Sequence, residues 1–242
     1  MRVLALDTTT RHGSVALVED DRVIDQRCGD PSRAHVERLP GEILELTAAH
    51  GLCVQDIDVF AVASGPGSFT GLRIGIATMQ GMAVTTGKRI VAVSALEALA
   101  HVAGARAPAG TRVAAWIDAH RQDVFAALYR VVEAPAFSPE RLEEIEGPTV
   151  GRPEAALERW GARFGAAPTL YIGDGADLYA AAVQRAVTSQ GEIFPLQPLA
   201  AAIGRLAIAR ATRQETIDPA GVQPLYVRRP DAEVERERKA LR

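Results

Sequence analysis

The sequence is short of cysteine, of aromatic residues and of excess charge of either sign. Cys28 and Cys53 are its only cysteines, which argues against a disulfide framework and fits a reducing compartment; we expect both to be small, buried side chains. Aromatic residues make up 5% of the chain, and 27 basic against 30 acidic residues leave a formal charge of −3. This balance disfavours a protein that grips nucleic acid by itself.

Long apolar runs are also missing. No run of about 18 apolar residues occurs, so we expect no membrane span. Met1 and Arg2 lead directly into strand-like residues, so no signal peptide is visible and a cytoplasmic location is expected.

Several patterns that would indicate catalysis are absent. No two histidines stand four residues apart, the spacing that places two rings on one helix face to bind a metal, so we expect no metal site. Ser64 and Ser68 lack the Gly-x-Ser-x-Gly elbow of hydrolases, and no Gly-Lys-Ser/Thr of a Walker loop follows the glycines nearby. The histidines, which we expect to be scattered surface or satisfied residues, are His12, His35, His50, His101 and His120.

The most informative stretch present runs from Ser64 to Gly75 and reads SGPGSFTGLRIG. It follows an apolar run, residues 59–63, that predicts a buried strand, and it leads into a proline-free apolar stretch, residues 72–84, that predicts a helix. Its glycines and proline indicate a backbone held in a special shape. Ser68 or Thr70 is expected to cap the helix, and such a loop is a candidate anion site.

The remaining periodicity predicts two segments that share a plan. The first has strands at residues 3–6, 14–18, 22–28 and 88–93, with helices at 34–50 and 95–102. Pro40 should lie in the first turn of its helix or kink it, and Ser94 should cap the next with Glu97 in a capping box. The second segment has strands at 112–118, 124–132 and 170–172, helices at 153–160, 176–189 and 199–212, and a final strand at 222–227, with at most one short strand between 133 and 147.

The Gly-, Ala- and Pro-rich residues 104–110 are the predicted domain boundary. We therefore expect an N-terminal lobe at 1–105, a C-terminal lobe at 106–215, and a closing segment with a charged tail at 216–242. The tail from residue 228 onward is expected to be solvated or disordered.

Several of these stretches together resemble the bacterial TsaB (YeaZ) family. They are Asp7-Thr8-Thr9 after the first strand, Gly65 to Gly75, residues 117–119 and 124–129, Gly173-Asp174-Gly175, and Pro224 to Arg228. The resemblance implies an α/β, two-lobed actin/Hsp70/sugar-kinase-like (ASKHA) fold, each lobe a mixed sheet with helices.

The resemblance also implies a function. Members of this family are non-catalytic partner subunits in forming N6-threonylcarbamoyladenosine beside the anticodon of tRNAs that read ANN codons. The chemistry belongs to the metal-binding paralogue TsaD, with which they form a heterodimer, and the ATPase TsaE joins the pair. A homodimer is expected when TsaD is absent, and tRNA is met only through the complex.

The residues leave two further readings open. An independent ATP-dependent kinase or ATPase of this fold would hold ATP or ADP at candidate residues Asp7, Thr8, Thr9, Gly173, Asp174 and Gly175. Residues 118–123, however, lack the glycine that an Asp-x-Gly phosphate turn requires, so we expect Asp7 to stabilise a turn instead. The other reading is a metallopeptidase-like hydrolase, which the histidine spacing does not support.

Glycines inside the helix after the glycine loop need a packing reason, because each costs about 1 kcal/mol relative to alanine. We expect close approach of a partner's backbone across a two-helix surface; burial wholly within one chain is the alternative. Gly75→Leu or Gly81→Leu would then abolish association and leave a folded monomer. The expected partner surface consists of Val36, Leu39, Ile43, Gly71, Arg73, Ile74, Gly75, Thr78, Met79, Gly81 and Met82.

Overall fold

The structure is a computed structural model that describes residues 1–164, 168–186 and 191–228. It contains two five-stranded mixed sheets. The first is built from β1 (Arg2–Asp7), β2 (Ser14–Glu19), β3 (Arg22–Cys28), β4 (Val59–Gly65) and β5 (Arg89–Ser94), with helices α1 (His35–Ala49), α2 (Phe69–Thr86) and α3 (Ala95–Gly104). The second is built from β6 (Arg112–Asp118), β7 (Val124–Val131), β8 (Leu142–Gly151), β9 (Thr169–Ile172) and β10 (Gly191–Phe194), with α4 (Pro153–Phe164), α5 (Asp174–Leu178) and α6 (Ala180–Ala186). A last helix, α7 (Ala200–Thr212), follows β10 in the sequence.

The two sheets have the same topology. Their strand orders are β3-β2-β1-β4-β5 and β8-β7-β6-β9-β10. In each, the central strand pairs antiparallel with the strand that follows it in sequence and parallel with the strand after the next helix. The equivalent strands β1 and β6 end at Asp7 and Asp118, whose antiparallel partners are Ser14 and Val124.

Helices α3 and α7 lie between the two sheets and join them into one core. A single buried cluster combines Val3 of β1 with Val113 of β6, and both helices contribute to it through Leu99 and Ile203. Helix α7 packs mainly on β1 and β2. The expected C-terminal lobe included residues 200–212, whereas this helix returns to the first sheet because its apolar residues fill the gap over that sheet.

The outer faces of the sheets have separate cores. Helices α1 and α2 cover the first sheet, and Leu39 and Met79 are buried there against Leu6. Helix α4 and the α5–α6 pair cover the second sheet, where Trp116 and Trp160 pack together. Among the helices of the described residues, none is long and apolar enough to cross a membrane.

Most predicted elements are confirmed, with local differences. Ser68 caps α2 by accepting from Gly71 N at 3.2 Å, and Ser94 caps α3 by accepting from Glu97 N. The Glu97 carboxylate binds the Arg210 guanidinium at 2.6 Å, which occupies the side chain that the capping box would have used. Pro40 lies inside α1, beyond its first turn, so the first of its two expected outcomes was wrong and the other, a kink in the helix, stays a prediction.

Three other expectations hold only in part or fail in the second half of the chain. The short strand allowed within the connection at 133–147 does form, but it is the longer, ten-residue strand β8, which begins at Leu142, runs on to Gly151 and pairs with β7. The helix expected at 176–189 is two short helices, of which the first ends at Leu178 with Tyr179 as its C-cap and the second begins at Ala180. Residues 187–190 lie outside the described residues. No strand forms at 222–227. The expectation for the tail lies outside the described residues from residue 229 onward.

The closing segment, residues 216–228, runs across the first lobe and reaches the second. Ile217 forms an antiparallel bridge with Ile90 of β5. Leu225 N donates to Ser64 O at 2.7 Å. Arg228 then donates to Ala119 O at 2.6 Å, in the turn between β6 and β7. The segment therefore ties the two lobes together at the start of α2.

Candidate functional site

The loop after β1 is organised around the carboxylate of Asp7. Asp7 Oδ1 accepts from Thr9 N at 2.9 Å and from Thr9 Oγ1 at 2.6 Å, so the side chain closes its own turn. The residue is 3% exposed. Burial raises the pKa of Asp7, and the nearby carboxylate of Asp174 raises it further. Asp7 thus has the turn-stabilising geometry expected from the sequence.

The glycine loop and α2 pack directly against this turn. A Cβ added to Gly71 would lie 2.1 Å from Thr8 O, and one added to Gly75 would lie 2.2 Å from Thr8 Oγ1. A Cβ at Gly67 would lie 2.6 Å from Thr9 Cβ. These glycines let α2 approach the β1–β2 loop of the same chain, which is a packing reason that requires no partner.

Helix α1 holds the other end of the same loop. His35 Nε2 lies 3.1 Å from Thr10 O, and the buried Arg38 donates to His12 O and, at 2.7 Å, to His35 Nδ1. Because a guanidinium only donates, His35 Nδ1 accepts and Nε2 carries the proton. Burial and the Arg38 charge lower the pKa of His35, which fits this neutral tautomer. Glu42 Oε2 forms an ion pair with Arg38 Nη1 at 2.7 Å.

The second lobe contributes the turn at Gly173-Asp174-Gly175. Gly173 has φ of 115°, and a Cβ there would lie 1.9 Å from Trp116 O, so the turn fits closely against β6. Asp174 Oδ1 accepts from Asp118 N at 2.9 Å, and burial raises the pKa of Asp174. The predicted nucleotide residues therefore divide between the lobes, and hydrogen bonds of the chain itself engage both carboxylates.

Asp7 and Asp174 line one small cavity of about 190 Å³. Thr10, Gly13 and Leu199 also line it. Thr8 does not, because its side chain is buried under α2. The cavity is smaller than the roughly 300–1,000 Å³ of typical small-molecule sites.

The turn between β6 and β7 has an unusual backbone. His120, Arg121 and Gln122 have φ of 57°, 56° and 65°, a region that side chains other than glycine rarely adopt. His120 N donates to Asp118 Oδ1 at 2.9 Å, and Arg228 pairs with Asp123 at the other end of the turn. Strained turns of this kind concentrate at functional sites. The sequence showed only that the turn lacks glycine.

The expected partner surface is partly buried. Its members divide into three groups by exposure. Leu39, Ile43, Gly71, Gly75 and Met79 lie in this chain's own core; Ile74, Thr78 and Met82 are half-buried; and Val36, Arg73 and Gly81 are exposed. A Cβ at Gly81 would meet nothing within 4 Å. The outward residues of α1 and α2 also include Leu44 and Val84, two exposed apolar side chains that the sequence reasoning did not single out.

A second cleft, of about 530 Å³, opens between the lobes at the start of α2. Phe69 and Tyr226 stack there with ring centroids 5.2 Å apart, and Arg73 Nε lies 3.1 Å from the Tyr226 hydroxyl. Sequence reasoning missed the contact between Arg73 and Tyr226, because the two residues are 153 positions apart and no local pattern connects them.

The structure places both cysteines at the surface. Cys28 and Cys53 are both exposed, so the expectation that they are buried was wrong; Cys53 instead donates to Asp56 at 3.0 Å at the surface. Within the described residues, no group of three or more His, Cys, Asp or Glu side chains is placed to hold a metal ion.

The chain is similar to proteins of tRNA modification. A family model described as "TsaD: tRNA N6-adenosine threonylcarbamoyltransferase" matches residues 29–234. The "tRNA threonylcarbamoyladenosine biosynthesis protein TsaB" of Escherichia coli is 37% identical over 150 residues, which cover 62% of this chain and 64% of that protein. The matched stretch therefore spans less than two thirds of this relative's length.

Solved structures agree with the fold. "YeaZ from Pseudomonas aeruginosa" matches with a TM-score of 0.75 and 28% identity, over 93% of this chain and 99% of that one. The activator of the 2-hydroxyisocaproyl-CoA dehydratase from Clostridium difficile, solved with bound ADPNP, has a TM-score of 0.52 at 12% identity over 89% and 98% of the two chains, and its likeness concerns the fold alone. The two matching sheets and these neighbours confirm the two-lobed ASKHA-like fold.

Proposed function

Because this chain belongs to the TsaB/YeaZ group within the family described as tRNA N6-adenosine threonylcarbamoyltransferase, we propose that it takes part in forming N6-threonylcarbamoyladenosine in tRNA. Its role there is that of a non-catalytic partner subunit of TsaD. The modified adenosine lies next to the anticodon of tRNAs that read ANN codons. TsaE joins the complex, tRNA is met only through it, and the assembly works in the cytoplasm.

The hydrogen bonds that the side chains of Asp7 and Asp174 accept from the chain itself support a non-catalytic role. Asp7 is bound by its own turn, and Asp174 is bound by the backbone of Asp118. Burial raises the pKa of both carboxyl groups. The sequence also has no pair of histidines at the spacing of a helical metal site.

The surface proposed to bind TsaD is the outer side of α1 and α2, which we name the α1–α2 face. It consists of Val36, Leu44, Ile74, Thr78, Gly81 and Met82. Val36 is 64% exposed and Leu44 57%, and both lie on α1. Grouped exposed apolar residues are typical of protein interfaces. The buried residues Leu39, Ile43 and Met79 support this face from below.

This proposal is tested by measuring whether a chain with two substitutions on the α1–α2 face still associates with TsaD. Val36→Glu with Leu44→Glu places two charges on the face and changes only side chains that are more than half exposed. We expect the variant to unfold at the temperature of the wild-type chain, to lose co-elution with TsaD, and to lose threonylcarbamoyladenosine formation in an assay reconstituted with TsaD and TsaE.

Leu178→Glu is the matched control, because Leu178 is an apolar residue 60% exposed on the second lobe. It should bind TsaD normally. A Val36→Glu/Leu44→Glu protein that still forms the complex with wild-type affinity would disprove the proposed face. A second copy of the chain occupying the same face, in the absence of TsaD, should be dispersed to monomers by the same double variant.

The second candidate function is an independent ATP-dependent enzyme, favoured by the cavity that Asp7 and Asp174 share. Its small volume weighs against ATP. The decisive measurement is ATP hydrolysis by the isolated chain and by Asp7→Asn. Turnover at an ordinary enzymatic rate that Asp7→Asn abolishes would establish this function in place of the partner role.

A further inference from the structure

A third cavity, of about 330 Å³, lies where the beginning of α3 faces β7 and β8, and we name it the α3 cavity. Its volume falls within the range that is typical of small-molecule sites. It shares no residue with the cavity of about 190 Å³ described above or with the α1–α2 face. The polar side chains that line it are Ser94, Glu97, Tyr129 and Glu144.

The pairing of β7 with β8 places Tyr129 and Glu144 on one face of the second sheet. The two residues are directly opposite each other in the antiparallel ladder, and paired residues project their side chains to the same side. Helix α3 packs against both strands, so Glu97 in its first turn lines the same space. Three segments of the chain therefore bring a hydroxyl group and two carboxylates together.

The hydroxyl group of Tyr129 has no partner of its own. The residue is 4% exposed and lines the α3 cavity, and its hydroxyl forms no hydrogen bond with any described residue. Burial and the charges of Glu97 and Glu144 raise the pKa of Tyr129, so the hydroxyl stays protonated at neutral pH and can both donate and accept. Because a buried hydroxyl without a partner costs free energy, its place at a cavity points to a polar ligand group.

The charge at the α3 cavity is negative. Arg210 neutralises Glu97, because its guanidinium donates to both carboxylate oxygens at 2.6 and 2.8 Å. Glu144, by contrast, has no ion pair within the part of the chain that the structure describes. One carboxylate is therefore unbalanced, and it lines the cavity together with a hydroxyl that can accept. This combination suits a positively charged hydrogen-bond donor.

The rest of the wall is apolar and favours an organic cation over a metal ion. Leu142, Pro148 and Leu225 line it. Within the described residues, no group of three or more His, Cys, Asp or Glu side chains is placed to hold a metal ion. An aliphatic ammonium compound has charged N–H donors at one end and CH₂ groups that can cover the apolar wall at the other.

We propose that the α3 cavity binds a small molecule with an aliphatic ammonium group, which donates to the Glu144 carboxylate and the Tyr129 hydroxyl. Its carbon chain lies against Leu142, Pro148 and Leu225. No residue of the α1–α2 face takes part, so this proposal can fail while the proposed function stands.

The experiment is an NMR titration of the full chain, labelled with ¹⁵N, with n-butylammonium chloride at constant ionic strength. We expect saturable shifts of backbone amides in β7, β8 and the first turn of α3, with a dissociation constant of about 1 mM for so small a ligand. 1-Butanol has the same carbon chain without the charge. It should bind about tenfold more weakly, because it cannot form a charge-assisted hydrogen bond.

Two variants test the two polar groups separately. Glu144→Gln removes the charge and keeps the shape, and it should weaken binding of n-butylammonium about tenfold. Tyr129→Phe removes only the hydroxyl and should weaken binding about fivefold. Glu143→Gln is the matched control, since Glu143 precedes Glu144 on β8 but binds Arg130 and does not line the cavity. It should bind as the wild type does.

Three results would overturn the proposal. They are the absence of saturable shifts at the α3 cavity, equal affinity for n-butylammonium and 1-butanol, and equal affinity of the wild type and Glu144→Gln. MgCl₂ that produces the same saturable shifts would identify a metal site and would also overturn it. If Tyr129→Phe fails to fold, Glu144→Gln and its control Glu143→Gln decide the outcome.

Discussion

The hydroxyl oxygen of Thr8 lies 2.2 Å from the point where Gly75 would carry a Cβ. No side chain fits at that distance, so the glycine is needed for α2 to pack on the β1–β2 loop. The expectation that Gly75→Leu leaves a folded monomer therefore does not hold. Gly81, only six residues further along α2, faces open space.

This contrast gives the first prediction. Gly75→Ala should lower the free energy of unfolding by about 1–3 kcal/mol, because the methyl group overlaps Thr8 and the loop must move. Gly81→Ala should raise it by about 0.5–1 kcal/mol, since alanine is the better helix former and meets nothing there. Urea denaturation of both variants measures the difference, and equal effects of the two changes would contradict the packing described here.

The second prediction concerns the buried arginine of α1. Arg38→Ala should destabilise the chain by about 3–5 kcal/mol, because it leaves Glu42 and His12 O without their buried donor. Arg130→Ala is the control: Arg130 also forms two bonds to a glutamate, Glu143, but both side chains are about half exposed. That change should cost at most about 1 kcal/mol. Thermal unfolding of the two variants tests the prediction, which fails if their melting temperatures agree.

The third prediction is a loss of stability at acidic pH through His101. This residue is fully buried in α3 and neither ring nitrogen has a partner among the described residues. Burial, with Arg210 and Arg141 nearby, lowers the pKa of His101 to about 3. As the pH falls, the unfolded chain therefore takes up this proton before the folded chain does. The free energy of unfolding should decrease by about 1.4 kcal/mol for each unit by which the pH falls between about 6.5 and 3.

His101→Leu should remove that part of the pH dependence, which denaturation at pH 7.5, 5.5 and 4.5 would show as a smaller slope. An unchanged slope in His101→Leu would mean that other groups account for acid sensitivity.

The fourth prediction concerns the link between the closing segment and the second lobe. Arg228 binds Asp123 and Ala119 O, and both charged side chains are about a quarter exposed. A double-mutant cycle with Arg228→Ala and Asp123→Ala should give a coupling of about 1 kcal/mol, since partial exposure screens the pair. Additive effects of the two substitutions would show that this contact does not help to hold the lobes together.

The sequence alone determined the elements whose signals are local. Alternation and turn residues predicted the β1–β2–β3 and β6–β7 hairpins. Ser94 marked the start of α3, and Ser68 was one of two candidate caps, with Thr70, for the start of α2. These signals are local because pleating and capping depend on residues close together in the chain. The resemblance carried by the glycine loop supplied the two-lobed fold, now confirmed. Asp7 as the residue that closes its own turn was also visible in Asp7-Thr8-Thr9.

Only the tertiary structure decided which glycines serve packing within the chain and which face solvent. Gly71, Gly75 and Gly81 look alike along the helix, but the first two meet Thr8 of a distant loop and the third meets nothing. Only the tertiary structure also showed that Phe69 stacks on Tyr226 and that α7 packs on the first sheet. Such pairings join segments more than a hundred residues apart, and their energies depend on distances in space that no spacing in the sequence records.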